Sequence, residues 1–301
     1  MLEPYSVYAT ALFNVKGKPK HDMITGLNCT TLLVLDLESG IECYRHILAR
    51  APLFRLAADG IKGAVFATGN SLLKIVSPKG PGLQGQLVRS HLDKYGEGLF
   101  EMTFGVEDVG LAYRRLKRLS LSPDSISEVI QYDADGTLRN MSKRTGLPVN
   151  HSYGIPISLS DLAAEGPAAD VTQPAILGID LLVVATNDPE RATVLYGARL
   201  GLPLVFDRTG PTDNARLLQF SCGDMVIEVV HRPASNKVGP DSIWGIGWRA
   251  ADIDLVHDSL LRHGRNVSDV KVGAKPNTRV FTVRDGTCNV PTLVVQHAEG
   301  H

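Results

Sequence analysis

Four reactive or polar side chains interrupt apolar, strand-like stretches in the first half of this chain. Cys29 lies in "GLNCTTLLVL", Lys74 in "NSLLKIVSP", Glu101 in "GLFEMTF" and Ser158 in "YGIPISLS". An ammonium group stabilises a developing enolate or phenolate oxygen, a carboxylate moves a proton, and a thiol or hydroxyl assists as nucleophile or hydrogen-bond donor. These residue types predict acid–base chemistry on an oxygenated compound, provided that the fold brings them together.

Further candidates lie close to these stretches in the sequence. His151 precedes the last strand of the first half and is a candidate general base or ligand anchor, with a surface turn as the alternative. Tyr132 and Arg139 flank an Asp-Gly turn, where they would orient a carboxylate or a phenol, unless they are solvated. Cys29 beside a lysine would have a lowered pKa and act as a nucleophile, whereas a small buried apolar role is the alternative.

Two tryptophans stand out in the second half. Trp244 and Trp248 bracket "WGIGW", and their even spacing places both on one face of a strand. The pair is predicted either to form a stacking platform for an aromatic ligand or to belong to a core or domain contact.

Composition excludes several classes of function. Of 301 residues, 44% are hydrophobic and 21% charged, and 31 Lys plus Arg against 32 Asp plus Glu leave a formal charge of −1. No stretch is long and apolar enough for a membrane span, and the four cysteines lack CxxC spacing. Dinucleotide, nucleophile-elbow and Walker motifs are absent from the sequence. We therefore expect a cytoplasmic globular protein with reduced thiols and a small-molecule ligand, and neither nucleic acid nor membrane as a partner.

The elements that must position these residues repeat four times. Segments beginning at Gly26, Gly98, Ile176 and Ser242 each give an apolar strand, an acidic helix entrance and an amphipathic helix. Strands joined by short polar turns follow each helix, so each module is predicted to be βαβββ.

Local signals mark the ends of these elements. In the third module Asn187 or Asp188 is predicted to cap the helix, Pro189 to lie in its first turn and Gly201 to end it. Hairpin turns are predicted at the following dipeptides: Gly69-Asn70, Asp135-Gly136, Gly223-Asp224 and Asp285-Gly286.

The linker "LSDLAAEGPAADVTQP" separates the second module from the third, with the boundary near residue 168. The predicted organisation is an N-terminal extension over residues 1–23, a first domain over 24–166 and a second domain over 174–299. The extension is predicted either to pack as a strand on one domain or to be a loose terminus.

Paired βαβββ modules, D-L-E and D-P-E helix entrances, an aromatic residue within the helix ("ECYRHIL", "VLYGARLGL") and a Leu-Gly helix end resemble the vicinal oxygen chelate superfamily. That superfamily includes glyoxalase I, bleomycin-resistance proteins and extradiol dioxygenases. The resemblance implies an α+β fold in which the four βαβββ modules form two cupped mixed-sheet domains. It also implies a divalent metal held in the cup by His and Glu on the first and last strands of the modules, with two substrate oxygens completing the chelate.

When the strands of the modules are aligned by their helix entrances, the family's ligand positions can be assigned in this sequence. In the first domain they fall on Cys29, Lys74, Glu101 and Ser158, and in the second domain on Leu181, Glu228, Gly245 and Leu293. Only Glu228 in the second set is a metal-ligand type, which disfavours the extradiol dioxygenases that hold iron in that half. In the first set a lysine replaces a carboxylate and repels a divalent cation. A metal-free polar cup is therefore predicted, with a buried Lys74–Glu101 ion pair as the alternative.

Two second-domain residues remain candidates for ligand contact. Glu228 in an apolar pocket would have a raised pKa or a partner that the sequence does not identify. His297 lies four residues beyond Leu293, on the same face of a strand, and is predicted to contact ligand or metal or to lie at the rim. A one-residue slip in register would turn any of these side chains away.

The resemblance and the residues together predict an enzyme acting on a small aromatic or α-carbonyl compound. Metal-independent proton transfer, isomerisation, lyase or ring-opening chemistry is expected in the first domain, with no cofactor, in a monomer or homodimer. One alternative is a binding protein that sequesters a small molecule, as bleomycin-resistance proteins do. Another is a dioxygenase or lyase whose Fe, Mn or Zn is held by non-standard ligands, namely Glu101 and Glu228 helped by His151 or His297.

Overall fold

A computed structural model describes residues 23–133, 135–162, 175–210, 214–233 and 239–298. The predicted N-terminal extension, apart from residue 23, and most of the linker lie outside these ranges. Within them, no helix combines the length and the apolar character that crossing a membrane requires.

Over its described residues, the first half contains eight strands and three helices. The strands are β1 (Ile24–Leu33), β2 (Phe54–Ala58), β3 (Ile61–Ala67), β4 (Leu72–Pro78), β5 (Gly98–Val106), β6 (Ser127–Tyr132), β7 (Leu138–Leu147) and β8 (Ile157–Ser160). The helices are α1 (Leu37–Leu48), α2 (Leu83–Tyr95) and α3 (Val109–Arg118).

The second half repeats this plan. Its strands are β9 (Ile176–Thr186), β10 (Leu204–Thr209), β11 (Arg216–Cys222), β12 (Met225–His231), β13 (Ser242–Ala250), β14 (Lys271–Val272), β15 (Thr278–Val283) and β16 (Thr292–His297). Its helices are α4 (Pro189–Ala192), which continues as a π-helical segment over Thr193–Arg199, and α5 (Ile253–Arg262).

Each half folds as one mixed eight-stranded sheet. The strand orders are β2-β3-β4-β1-β5-β8-β7-β6 and β10-β11-β12-β9-β13-β16-β15-β14, so the two sheets have the same topology. At the centre of the first sheet β1 and β5 are antiparallel, while β1 and β4, and β5 and β8, are parallel. The predicted α+β fold of four βαβββ modules is confirmed.

An aspartate begins the helix of every module. Asp36, Asp108, Asp188 and Asp252 are the N-caps of α1, α3, α4 and α5, and each carboxylate accepts a hydrogen bond from a backbone N–H in the first turn. In the third module the cap is therefore Asp188 rather than Asn187. This repeated cap is the structural basis of the acidic helix entrances in the sequence.

Helix α2 was not predicted from the sequence. It lies between the first two modules, and Val88 and Leu92 pack against Leu33, Ile61 and Val76. The side chain of a residue in the β2–β3 turn, Asp59, accepts hydrogen bonds from the first backbone N–H groups of the helix. The cap thus comes from more than twenty residues upstream, where local sequence patterns do not reveal it.

One hydrophobic core joins the two halves. It includes the apolar faces of α1, α3 and α5 and the strand residues beneath them. Tyr44 of α1 meets Trp248 of β13 edge to face, with ring centroids 6.3 Å apart. Because Trp248 is fully buried in this shared core, it does not form the predicted stacking platform for a ligand.

Candidate functional site

The face of the first sheet opposite α1 and α3 carries the polar residues singled out from the sequence. Thr31 on β1 lies beside Lys74 on β4 and Glu101 on β5, and Thr103 on β5 lies beside Ser158 on β8. Side chains of paired residues in neighbouring strands point to the same face. We call the face formed by Cys29, Thr31, Lys74, Glu101 and Ser158, with Arg144 at its side, the first cup.

Glu101 is the centre of a hydrogen-bond network in this cup. Arg144 donates from Nη2 to Oε1 at 2.5 Å, Ser158 donates from Oγ to Oε1 at 3.2 Å, and Thr31 donates from Oγ1 to Oε2 at 3.2 Å. The Glu101 side chain is only 8% exposed. Both carboxylate oxygens are therefore held by donors from three strands.

Two opposing effects set the charge of Glu101. Burial alone would raise its pKa, but the positive charges of Lys74 and Arg144 and the hydrogen bonds from Ser158 and Thr31 outweigh burial and hold the pKa below its ordinary value. Glu101 is therefore ionised at neutral pH and is a weak proton acceptor.

The ammonium group of Lys74 carries a positive charge in the cup, and no described carboxylate forms an ion pair with it. No described residue forms an ion pair or hydrogen bond with its ammonium group, and the guanidinium that pairs with Glu101 belongs to Arg144. The predicted Lys74–Glu101 pair is thus replaced by an Arg144–Glu101 pair. Arg144 was not predicted from the sequence, because its place in the cup depends on the register between β7 and β8, in which Arg144 lies opposite Ser160 and Gly146 opposite Ser158.

Cys29 lies in this cup but is not an activated thiol. Burial raises its pKa to about 11, and the nearby charge of Lys74 offsets only part of that effect. The predicted lowering of this pKa is wrong, because the cost of burying a thiolate exceeds the attraction of the lysine. Cys29 packs with Val65 and Leu72, as the alternative interpretation expected.

The structure places three other candidates away from Glu101. Tyr132 is 51% exposed near the β6–β7 turn, where Arg139 pairs with Asp133 at 2.6 Å. His151 lies in the turn before β8, and this turn packs against the second domain, with the Asp241 N–H donating to the Tyr153 carbonyl at 2.8 Å. These residues do not join the hydrogen-bond network of the first cup.

The corresponding face of the second sheet, the second cup, holds a different set of polar residues. Gln219 donates to Glu228 at 2.8 Å, and His297 Nε2 lies 2.8 Å from Asp180 Oδ1. Arg249 Nε also donates to Asp180 at 3.2 Å. The predicted candidates Glu228 and His297 therefore both have partners inside the protein.

Asp180 was missed because its strand is irregular. The register between β9 and β13 shifts between Gly247 and Trp248, opposite Asp180, so simple alternation along β9 fails at this position. Leu181, the aligned ligand position, faces Gly247 instead. Trp244 is half-buried at the other end of β13, with the Arg232 guanidinium 5.4 Å from its ring centroid.

The carboxylates of the second cup have opposite electrostatic environments. Burial raises the pKa of Glu228, and the hydrogen bond from Gln219 reverses only part of this. Burial also acts to raise the pKa of Asp180, but the hydrogen bond and charge of His297 outweigh it and lower that pKa. Glu228 is thus the carboxylate in this cup that most readily holds a proton.

The two cup glutamates are expected to respond oppositely to neutralisation. Since the folded pKa of Glu101 lies below its ordinary value of 4.5, its stabilising contribution is present above that value and is lost as pH falls through the folded pKa. The folded pKa of Glu228 lies above 4.5, so its contribution is present below 4.5 and is lost as pH rises through the folded pKa.

Accordingly, Glu101→Gln is expected to lower the Tm at about pH 8, whereas Glu228→Gln is expected to raise it. The Glu228→Gln difference should shrink as the pH is lowered towards 4.5, whereas the Glu101→Gln difference should persist there and shrink only as the pH falls below 4.5. Differential scanning calorimetry across this pH range measures the effect. A lower Tm for Glu228→Gln at about pH 8 would show that the Glu228 carboxylate is stabilised as an anion.

The donors of the first cup do not fit a divalent metal ion. Glu101 is its one carboxylate and is already held by Arg144, while Lys74 adds a second positive charge. Across the described ranges, no group of three or more His, Cys, Asp or Glu side chains is arranged to hold a metal. Glu101 and Glu228, the two non-standard ligands considered from the sequence, lie in separate sheets, and each accepts hydrogen bonds from side chains of its own sheet.

Comparisons with known proteins agree with this architecture. A family model described as the Glyoxalase/Bleomycin resistance protein/Dioxygenase superfamily matches residues 178–289. A triple mutant of 4-hydroxymandelate synthase from Streptomyces coelicolor superposes with a TM-score of 0.67 at 12% identity, covering 92% of this chain and 94% of that one. The Mn(II)-bound glyoxalase from Novosphingobium aromaticivorans superposes with a TM-score of 0.62 at 11% identity, covering 92% and 83%.

A search of curated proteins gives no significant match. At 11–12% identity, the two structural matches show a shared fold and carry no information on substrate. The fold extends over both halves of the chain, although the family model matches only the second.

Proposed function

We propose that this chain is a two-domain member of the glyoxalase/bleomycin resistance protein/dioxygenase superfamily, and that its first cup binds a small oxygenated compound through a negatively charged oxygen. The expected ligands are aromatic or α-carbonyl compounds with a carboxylate or an enolisable carbonyl group. Lys74 provides the main contact, and no metal ion takes part.

The observation that carries this proposal is the free ammonium group of Lys74. The cup contains two cations and one carboxylate, and the carboxylate is already paired with Arg144. The charge of Lys74 acts on Glu101 without a direct ion pair, so its ammonium group can still donate to an anionic oxygen of a ligand. Lys74 also occupies the position where the family resemblance expects a metal-binding carboxylate, so it places positive charge where relatives hold a cation.

Proton transfer next to a carbonyl is the reaction that these groups support best. Lys74 would stabilise the developing enolate oxygen, and Glu101 is the carboxylate in the described cup that would accept the proton. Ser158 and Thr31 hold the two oxygens of Glu101 and so fix its direction. Cys29 stays protonated and fills space beside Lys74.

Sequestration without reaction is the second candidate function. The low pKa of Glu101 favours it, because a carboxylate held by three donors gains little by taking a proton from carbon. In that case Lys74 and Arg144 serve recognition alone. Binding is common to both candidates, whereas proton exchange distinguishes them.

Phenylpyruvate and phenylacetone form a matched pair of probes, because the carboxylate of the first is replaced by a methyl group in the second. Isothermal titration is expected to show at least about tenfold tighter binding of phenylpyruvate, reflecting one charge-assisted contact. Equal affinity for the two compounds would contradict the proposed anion site.

Hydrogen–deuterium exchange at the benzylic carbon of bound phenylpyruvate then tests catalysis. If Glu101 transfers a proton, exchange measured by proton NMR is faster with the wild-type protein than without it, and Glu101→Gln removes this acceleration. Saturable binding of a ligand that is recovered without accelerated exchange identifies sequestration instead.

A further inference from the structure

A second cavity lies between the two domains and has no role in the proposed function. Its volume is about 520 Å³, and its lining comes from α1, Glu97 and the segment 283–291 between β15 and β16. None of the residues that define the first cup lines this cavity. Its wall carries two cysteines from different domains, Cys43 on α1 and Cys288 in the loop.

The two thiols lie near each other across the domain boundary. Cys43 precedes Tyr44, whose hydroxyl donates to the carbonyl of Thr287, the residue before Cys288. Both cysteines are half-buried free thiols that border the same cavity. A small polar reagent in the cavity would therefore reach both sulfur atoms from the same side.

The loop that carries Cys288 is held against the first domain on both sides of that residue. Tyr44 donates its hydroxyl to the Thr287 carbonyl at 3.3 Å, and Asn289 donates from its side chain to the Glu97 carbonyl at 3.2 Å. Cys288 and Asn289 have φ angles of 52° and 61°, in the left-handed region that non-glycine residues rarely adopt. Cys288 is thus held near Cys43 by a loop that is anchored to the first domain and has an unusual backbone conformation.

The surroundings give the two thiols different roles. The neighbouring Cys288 thiol lowers the pKa of Cys43 to about 7, against the effect of burial, and the charge of Arg265 acts in the same direction. The Cys43 thiol in turn raises the pKa of Cys288, so that thiol keeps its proton. Cys43 is therefore the nucleophile and Cys288 the neighbouring thiol that can displace a group from it.

We propose that Cys43 and Cys288 form a redox-modification site, at which a peroxide converts the two thiols into a disulfide bond that links the two domains. In the first step the Cys43 thiolate attacks one peroxide oxygen, the O–O bond breaks, and hydroxide leaves and is protonated to water. In the second step the Cys288 sulfur attacks the sulfenic acid of Cys43, the S–O bond breaks, and hydroxide leaves with the Cys288 proton as water. Two thiols are oxidised by two electrons, and one hydrogen peroxide is reduced to two waters.

The other two cysteines provide internal controls. Burial raises the pKa of both Cys29 and Cys222, and Cys222 is fully enclosed in the core of the second domain. A thiol that stays protonated and covered reacts slowly with peroxides. Oxidation is therefore expected to select the interdomain pair.

The test is treatment of the reduced full-length chain with hydrogen peroxide, followed by intact mass measurement and non-reducing peptide mapping. The wild type and a Cys29→Ala/Cys222→Ala double variant are both expected to lose two hydrogens and to yield the peptide pair containing Cys43 and Cys288. In Cys288→Ser, Cys43 is expected to accumulate as a sulfenic acid that dimedone traps. Circular dichroism checks that each variant is folded.

Alkylation by iodoacetamide gives an independent measure of the same difference. At about pH 7, Cys43 is expected to react at least about tenfold faster than Cys29, because a much larger fraction of it is thiolate. Two results would overturn the proposal: oxidation of Cys29 or Cys222 as fast as Cys43, or a stable Cys43 sulfenic acid in the wild type without a disulfide.

Discussion

Replacing Trp248 with alanine is expected to lower the free energy of unfolding by about 3–5 kcal/mol, the range for truncating a large buried aromatic side chain. Trp248 has no exposed surface and packs edge to face on Tyr44 of the other domain. The variant therefore loses apolar burial within the second domain and part of the core that joins the two domains. Urea denaturation followed by circular dichroism measures the loss.

Two matched variants separate packing from other effects of this substitution. Among the described residues none accepts a hydrogen bond from the Trp248 indole, so Trp248→Phe removes an unsatisfied donor and is expected to cost under about 1.5 kcal/mol. Trp244→Ala, on the same strand but half-buried, is expected to cost about 1 kcal/mol or less. A Trp248→Ala loss no larger than that of Trp244→Ala would contradict the shared core.

Replacing Lys74 with methionine is expected to weaken phenylpyruvate binding by about 10- to 100-fold, the effect of removing one charge-assisted hydrogen bond of about 1.5–3 kcal/mol. Methionine keeps the length of the side chain and removes its charge. Lys74→Arg is expected to retain most of the affinity, because it keeps the charge at the same strand position. Isothermal titration of each purified variant provides the comparison.

The second domain offers a control for the location of the effect. Lys275 is half-buried like Lys74, and its charge acts on Asp180 and Glu228 in the second cup. Lys275→Met is expected to leave phenylpyruvate affinity unchanged within about twofold. If Lys275→Met weakens binding and Lys74→Met does not, the ligand occupies the second cup and the proposed site is wrong.

Much of the fold could be predicted from the sequence, because four similar segments carry the same local signals. An aspartate such as Asp188 caps each module helix, and apolar strands alternate with polar turns such as Gly223-Asp224, which joins β11 and β12. Helix α2 escaped prediction because its cap, Asp59, is distant in sequence. Local patterns therefore identify repeated elements better than an element held by one long-range contact.

The first cup was predictable only in part. The strand positions of Lys74 and Glu101 followed from the family resemblance, and the register confirms that they flank Thr31. Arg144 was missed because its orientation depends on the hairpin register, which a single sequence does not fix. Asp180 was missed for a related reason, since a shift of register beside it breaks the alternation that the prediction assumed.

The balance between burial and nearby charge, which sets the pKa of each thiol, was the least predictable feature. A lysine near a cysteine suggested an activated thiol, yet burial determines the protonation of Cys29. The activated thiol is instead Cys43. The cysteine that lies near it in the fold, Cys288, is 245 positions later in the chain. Burial and long-range contacts are properties of the folded chain, so residue types and spacing alone do not give them.

Elemental analysis of protein purified without chelators tests the central claim most directly, because it requires no knowledge of the substrate. If the charge of Lys74 replaces a metal in the first cup, the wild type should contain less than about a tenth of an equivalent of Mn, Fe, Ni or Zn. Glu101→Gln should leave that content unchanged. Close to one equivalent of metal in the wild type, lost in Glu101→Gln, would contradict the account.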